Sequence, residues 1–162
     1  MKAQPVCEAV FDCNIYLQAA ARPNSPAGEC LRLAENGIIR LYISQDVLTE
    51  VSEVLRRPEI RDRFPDLTDK SIDLFLEKVR GFSHFIKKVP LKFRLSRDVD
   101  DEPYINLATR AEADYIVSRD KDLLDLMTVY TNEAKEFRQR FRPLRVIAPF
   151  EFLKEIEKSK AS

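Results

Sequence analysis

The chain has 162 residues, 44% of them hydrophobic and only three of them glycine, which suits one packed domain and excludes a disordered tract or a repeat array. Its 27 basic residues balance 27 acidic ones, so no global field draws it to nucleic acid or to a membrane, and any charge-based site must be local. Cys7, Cys13 and Cys30 form no C-x-x-C pair, no run approaches the roughly 20 apolar residues of a membrane span, and the first segment lacks a signal peptide's apolar core, so a cytoplasmic protein with free thiols is expected.

Short apolar runs alternate with longer amphipathic stretches. Residues 6–12, "VCEAVFD", predict a strand that ends on an acid, and 27–37, "AGECLRLAENG", a helix stopped by Gly37. A second strand follows at 38–44, then a helix over 44–57 capped by Ser44 and halted by Pro58. Thr68 opens and Gly81 closes a helix over 68–81, and 82–89 predicts a short strand. A helix over 102–113 leads into a buried strand at 114–118. The last strand is expected at 144–148 and a terminal helix at 149–159, with the final "KSKAS" frayed. This alternation predicts α/β layers around a mostly parallel sheet.

In such a sheet, ligands meet the carboxyl ends of the strands at the point where strand order reverses. Asp12 ends the first strand and Asp120 follows "YIVS" by one residue, so two central parallel strands would aim both carboxylates into one crevice. The plainer alternative is that each bonds its own backbone at the start of a loop. Glu50 falls on the flank of the apolar stripe made by Val47, Leu48, Val51, Val54 and Leu55, whereas Asp46 and Glu53 point away from it. It is either held at the core edge or paired at the surface with a cation such as Arg57.

"DVDDEPYINLA", residues 98–108, places four acids in five positions ahead of Pro103. The positive end of a helix dipole accounts for one or two of them. A helix antiparallel to the following strand brings Asp101 or Glu102 toward Asp120. Carboxylates gathered so closely hold protons or cations, and an all-oxygen set without His or Cys suits Mg²⁺ or Mn²⁺. Two such ions are the arrangement for phosphodiester hydrolysis.

"VFDCN", the acid in "SQDVLTEVSEVLRRPEI", and "DVDDEPYINLATRAEADYIVSRDKDLLDL" together resemble the PIN domain, nearest to the VapC-like toxins of toxin–antitoxin pairs. The likeness covers about residues 6–150. It implies a three-layer α/β/α fold with a mostly parallel central sheet: residues 1–150 form the PIN-like domain, and the terminal helix and tail at 151–162 belong to the same unit. It also implies Mg²⁺- or Mn²⁺-dependent cleavage of RNA by an endoribonuclease. The acids would be Asp12, Glu50, Asp101 or Glu102, and Asp120, with Asn14 and Ser118 as supporting polar residues. The family commonly has Asp where this chain has Glu102, so Asp101 and Glu102 both stand as the third acid. The same likeness implies an antitoxin partner from a neighbouring gene and allows a homodimer. A catalytically silent PIN-like module that binds RNA or a protein is the alternative.

Two basic stretches, "LRRPEIRDR" and "KEFRQRFRPLR", offer phosphate contacts; in the second, Arg138, Arg140 and Arg142 alternate with Phe137 and Phe141. A solvated face balanced by nearby acids is the other reading of both. His84 is a lone histidine expected at a surface or edge position, and Cys13 has no basic partner to make it a nucleophile. "DCN" lacks the second Asp of a phosphoaspartyl phosphatase, and no Gly-rich phosphate loop is present.

Overall fold

The computed structural model describes residues 4–89, 102–128, 131–141 and 143–161. Five strands, β1 (Glu8–Phe11), β2 (Arg40–Ser44), β3 (His84–Ile86), β4 (Tyr115–Val117) and β5 (Arg145–Ile147), form one sheet in the order β3-β2-β1-β4-β5. All four pairings are parallel, and β1 pairs in register with β2 (Val10 with Tyr42) and with β4 (Val10 with Ile116). Strand order therefore reverses between β1 and β4, the position at which parallel sheets bind their ligands. Helices on both faces give the three-layer α/β/α arrangement that the sequence predicts.

The central strands are short and apolar on both sides. Ala9, Val10, Phe11, Leu41, Ile43, Ile116 and Val117 are all buried, as expected for a parallel sheet covered on each face. Phe152 packs edge-on against Phe11 (centroids 6.3 Å apart) and Tyr115 (5.3 Å), tying the terminal helix to β1 and β4.

Helices begin where a side chain replaces the missing backbone acceptor. Asp12 caps α1 (Cys13–Ala21), Ser25 caps α2 (Pro26–Glu35), Ser44 caps α3 (Gln45–Leu55) and Thr68 caps α5 (Asp69–Phe82), the last as a reciprocal box with Ser71. Asp120 caps the short α7 (Lys121–Leu124), and Thr131 caps α8 (Asn132–Arg140). The remaining helices are α4 (Pro58–Arg63), α6 (Glu102–Ala111) and α9 (Pro149–Ala161).

Several predicted boundaries move. Pro58 ends α3 but also opens α4, because its fixed φ and absent N–H suit a first helical turn. Gly81 lies inside α5, which runs on to Phe82, whereas Gly37 does stop α2, with φ +76°. The terminal helix continues to Ala161, past the expected end at 159. Helices α1, α4, α7 and α8 were outside the predicted set; α1 is largely buried and short, so its residues lack a clear polar face. His84 is exposed on the edge strand β3, as expected. Among the described residues, no helix is long and apolar enough to cross a membrane.

The turn from α1 to α2 depends on Gly28. A methyl group there would lie 2.0 Å from the carbonyl oxygen of Pro23, a backbone atom that cannot swing aside. Gly28→Ala is expected to destabilise the protein by about 2 kcal/mol and lower its melting temperature by roughly 4–8 °C, read by thermal denaturation. An unchanged melt would show that Gly28 does not lie so close to the Pro23 carbonyl.

Candidate active site

Asp12 stands at the carboxyl end of β1, where its N–H donates to the Val117 carbonyl of β4 (3.1 Å). Its carboxylate is 3% exposed. Oδ1 accepts the Ile15 amide (3.1 Å), which caps α1, and Oδ2 accepts the Ser118 hydroxyl. Ser118 is itself wholly buried, its N–H donating to Ile147 of β5 (3.0 Å) and its Oγ accepting the Asp120 amide (2.8 Å). One hydroxyl thus joins the first acid to the backbone of the last, across the seam between β1 and β4.

Asp120 uses Oδ1 for the amides of Asp122 (2.7 Å) and Leu123 (3.4 Å). Both strand-end acids do therefore bond their own backbone, as the plainer sequence reading held. Capping and a place in the crevice coexist, because one side chain carries two oxygens.

Burial pushes the Asp12 carboxyl up to about 6. Hydrogen bonds from Ser118 and the Ile15 amide act against that rise, the negative charge of Asp120 adds to it, and the Asn14 amide opposes it again. Asn14 acts here through its backbone, since its side chain is exposed.

On the other side of α1, Glu50 is half-buried in α3 and accepts the hydroxyl of Tyr104 (2.8 Å), a buried residue of α6. Asp46 and Glu53 are exposed, so the helical stripe had ranked the three acids of α3 correctly. The Tyr104 hydroxyl is held protonated, first by burial and then by Cys13, Glu50 and Asp12 around it. Burial, with Glu50 and Asp12 adding to it, raises the Cys13 thiol to about 12, so Cys13 is no nucleophile at neutral pH. Tyr104 was not singled out in the sequence; its place in the first turn of the helix that Glu102 opens was the available signal.

Glu102 opens α6 at 5% exposure, and its carbonyl accepts the Asn106 side chain (3.0 Å). Asp101 and the rest of the 98–101 run lie outside the described residues. The structure thus brings Asp12, Ser118 and Asp120 together and sets Glu50 beside Tyr104 and Cys13. Among the described residues, no three His, Cys, Asp or Glu side chains form a group that encloses a metal ion. The donor chemistry nevertheless fits a hard dication: oxygen ligands, a carboxylate raised by burial with a second carboxylate adding to it, and, among the described residues, no basic side chain paired with Asp12 or Asp120.

The predicted basic patches have mostly internal partners. Arg138 donates to the Leu126 carbonyl (2.8 Å), Arg140 pairs with Glu136 (3.3 Å), and Arg142 lies outside the described residues. Phe137 and Phe141 are buried in the core, so they are not stacking platforms. Arg56 pairs with Asp69 (3.0 Å) and Asp73, and Arg61 with Asp69 (3.2 Å), so these two read as a balanced surface.

The segment that holds the described acids, residues 8–122, matches the family model described as the PIN domain. The chain belongs to the PIN-domain family. PIN domains have a nuclease-type fold, and Asp12 and Asp120 sit near the two limits of the matched segment. The chain is also 30% identical to the uncharacterized protein MJ1680 of Methanocaldococcus jannaschii over 151 residues, which cover 93% of this chain and 92% of that relative. Helix α8, β5 and α9 lie beyond the family match.

Because Asp12 binds its proton more tightly folded than unfolded, its contribution to stability is complete below about pH 4 and is lost as pH rises through about 6. Ionised Asp12 then costs about 3 kcal/mol at pH 7.5. Asp12→Asn does not titrate and keeps an acceptor for Ile15, so without divalent cations it is expected to be more stable than wild type at pH 7.5. That advantage should shrink toward pH 4. Urea denaturation at the two pH values checks this, and equal differences at both would mean that Asp12 is not raised.

Proposed function

We propose that this PIN-domain protein is an endoribonuclease of the cytoplasm that hydrolyses RNA phosphodiester bonds with Mg²⁺ or Mn²⁺. We further propose that it is the toxin of a type II toxin–antitoxin pair, inhibited by the product of a neighbouring gene. The observation that carries the nuclease reading is the buried Asp12 tied through Ser118 to Asp120 at the switch point. The toxin assignment rests on the resemblance of the sequence motifs.

Asp12 and Asp120 would hold the ion, with Glu50 and either Glu102 or Asp101 completing the carboxylate set. When bound, a divalent ion lowers the pKa of water and neutralises charge on the phosphate and leaving oxygen. The remaining work belongs to the chain. Ser118 fixes the rotamer of Asp12 and, by donating to the ionised form, keeps the carboxylate available near neutral pH. Tyr104 orients Glu50. Capping by Asp12 and Asp120 leaves each side chain little freedom, so little order is lost when substrate arrives.

The test is cleavage of single-stranded RNA by purified protein with Mn²⁺ or Mg²⁺, with and without chelator. Asp12→Asn is expected to lower the rate by at least about 100-fold. Ser118→Ala is expected to shift the acidic limb of the pH–rate profile upward, since it removes a hydrogen bond that favours ionised Asp12, and to cost about 1–3 kcal/mol of stability. Intact RNA under all conditions would end the nuclease reading.

Glu102, where the family commonly has Asp, favours a second reading, a catalytically silent module that binds RNA or a protein. Calorimetric titration with Mn²⁺ separates the two. Heat that disappears in Asp12→Asn supports the enzyme, and no heat in wild type supports the silent module.

A further inference from the structure

Beside the acidic crevice lies a second feature with the opposite charge. A cleft of about 510 Å³ opens between α1, α2 and the start of α9, lined by Gln18, Arg22, Ser25, Arg119, Leu124 and Phe150, among others. Its size is in the range of about 300–1,000 Å³ that holds a small-molecule-sized group. Arg119 stands in the chain between Ser118 and Asp120, so the cleft begins where the crevice ends.

Arg119 and Arg22 are both exposed, and neither has a carboxylate partner among the described residues. The Arg22 guanidinium sits 5.4 Å from the Phe64 ring, which places it without neutralising it. Asn14 and Gln18 of α1 and Arg22, its C-cap, recur at four-residue intervals from the Asp12 end toward the cleft, which Gln18 and Arg22 line. At the far wall, Phe150 keeps 55% of its surface exposed in the first turn of α9, with Lys154 Nζ 4.4 Å from the ring centroid. An exposed aromatic carrying a cation, set near two unpaired arginines, matches a nucleotide: the ring meets the base and the arginines meet phosphates.

We propose that this cleft is a subsite for single-stranded RNA next to the bond being cut, in which Phe150 stacks a base and Arg22 and Arg119 pair with flanking phosphates. It rests on the nuclease reading for its substrate. It also goes beyond the family match, because one wall of the cleft, Leu124 and Ala148–Phe150, lies outside residues 8–122.

The probe is a fluorescein-labelled single-stranded RNA of about 12 nucleotides, a length within the usual single-strand site size, bound to the full chain in chelator and followed by anisotropy. Phe150→Ala is expected to weaken binding about tenfold, and Phe150→Tyr to restore it. The double variant Arg22→Ala, Arg119→Ala is expected to flatten the dependence of log affinity on log salt by about 1.4, or about 0.7 for each lost phosphate contact. A purely structural role would not move that slope. Duplex RNA should compete poorly, because its bases are already stacked.

Affinity and salt slope that stay at wild-type values in these variants would overturn the subsite, as would duplex RNA competing as well as the single strand. Cleavage with Mn²⁺ separates this result from the nuclease reading. Wild-type KM in the cleft variants of an active enzyme removes the subsite and keeps the nuclease. Binding lost in those variants of a protein that never cuts RNA keeps the subsite and removes the nuclease.

Discussion

A carboxylate placed at the seam of two buried strands constrains much of the surrounding structure. Asp12 cannot reach bulk water, so its charge must be met by hydrogen bonds that the fold supplies. Two come from the first turn of α1, which the local cap supplies, and one from Ser118, which depends on the β1–β4 pairing being in register. A slip of one residue would turn Ser118 to the other side of the strand. The acid is consequently a reporter of correct sheet assembly as well as a candidate ligand. The unfavourable part of its burial exceeds what these hydrogen bonds return, a perturbation typical of functional sites.

The two ends of the sheet treat charge differently. At the amino end, Glu8 accepts Arg40 (3.2 Å) and Tyr42 (2.8 Å), while Asp114 accepts the Glu8 amide (2.9 Å). Those acids have ordinary partners and stay partly exposed. At the carboxyl end, Asp12 and Asp120 bond among the described residues to amides and one hydroxyl, and no described basic side chain pairs with either. Acids of the same type thus serve as structural pairs at one end and as a concentrated negative field at the other. Placement relative to the strand direction separates the roles more sharply than residue type does.

Much of this was legible in the sequence because it followed from periodicity. Asp12 and Asp120 were readable as strand ends, and Glu50 as the inward acid of α3, since strand and stripe are local patterns. Glu102 emerged from its place at the head of α6. The course of the chain through 121–140 was not readable, because α7 is a single turn held by the Asp120 cap and α8 carries few apolar residues. The arginine–aromatic alternation of 135–145 suggested a nucleic-acid surface, but the periodicity that turns Phe137 and Phe141 into the core also sends Arg138 to a backbone carbonyl. The cleft near Phe150 was invisible for a different reason. Arg22, Arg119 and Phe150 come from three distant segments, and only the fold makes them neighbours.

Electrical neutrality of the whole chain conceals this separation. With 27 charges of each sign, the molecule has no net field to steer RNA from a distance. Attraction must arise within a Debye length of about 8–10 Å at ordinary salt, where a local arrangement counts more than the total. A crevice of carboxylates alone would repel a polyanion. Cations set at its rim give a strand somewhere to bind while the acidic seam stays available for metal. Arg119 between Ser118 and Asp120 provides such a rim at the shortest possible distance along the chain, so the contact that would hold substrate and the acid that would hold metal are fixed by the same strand end.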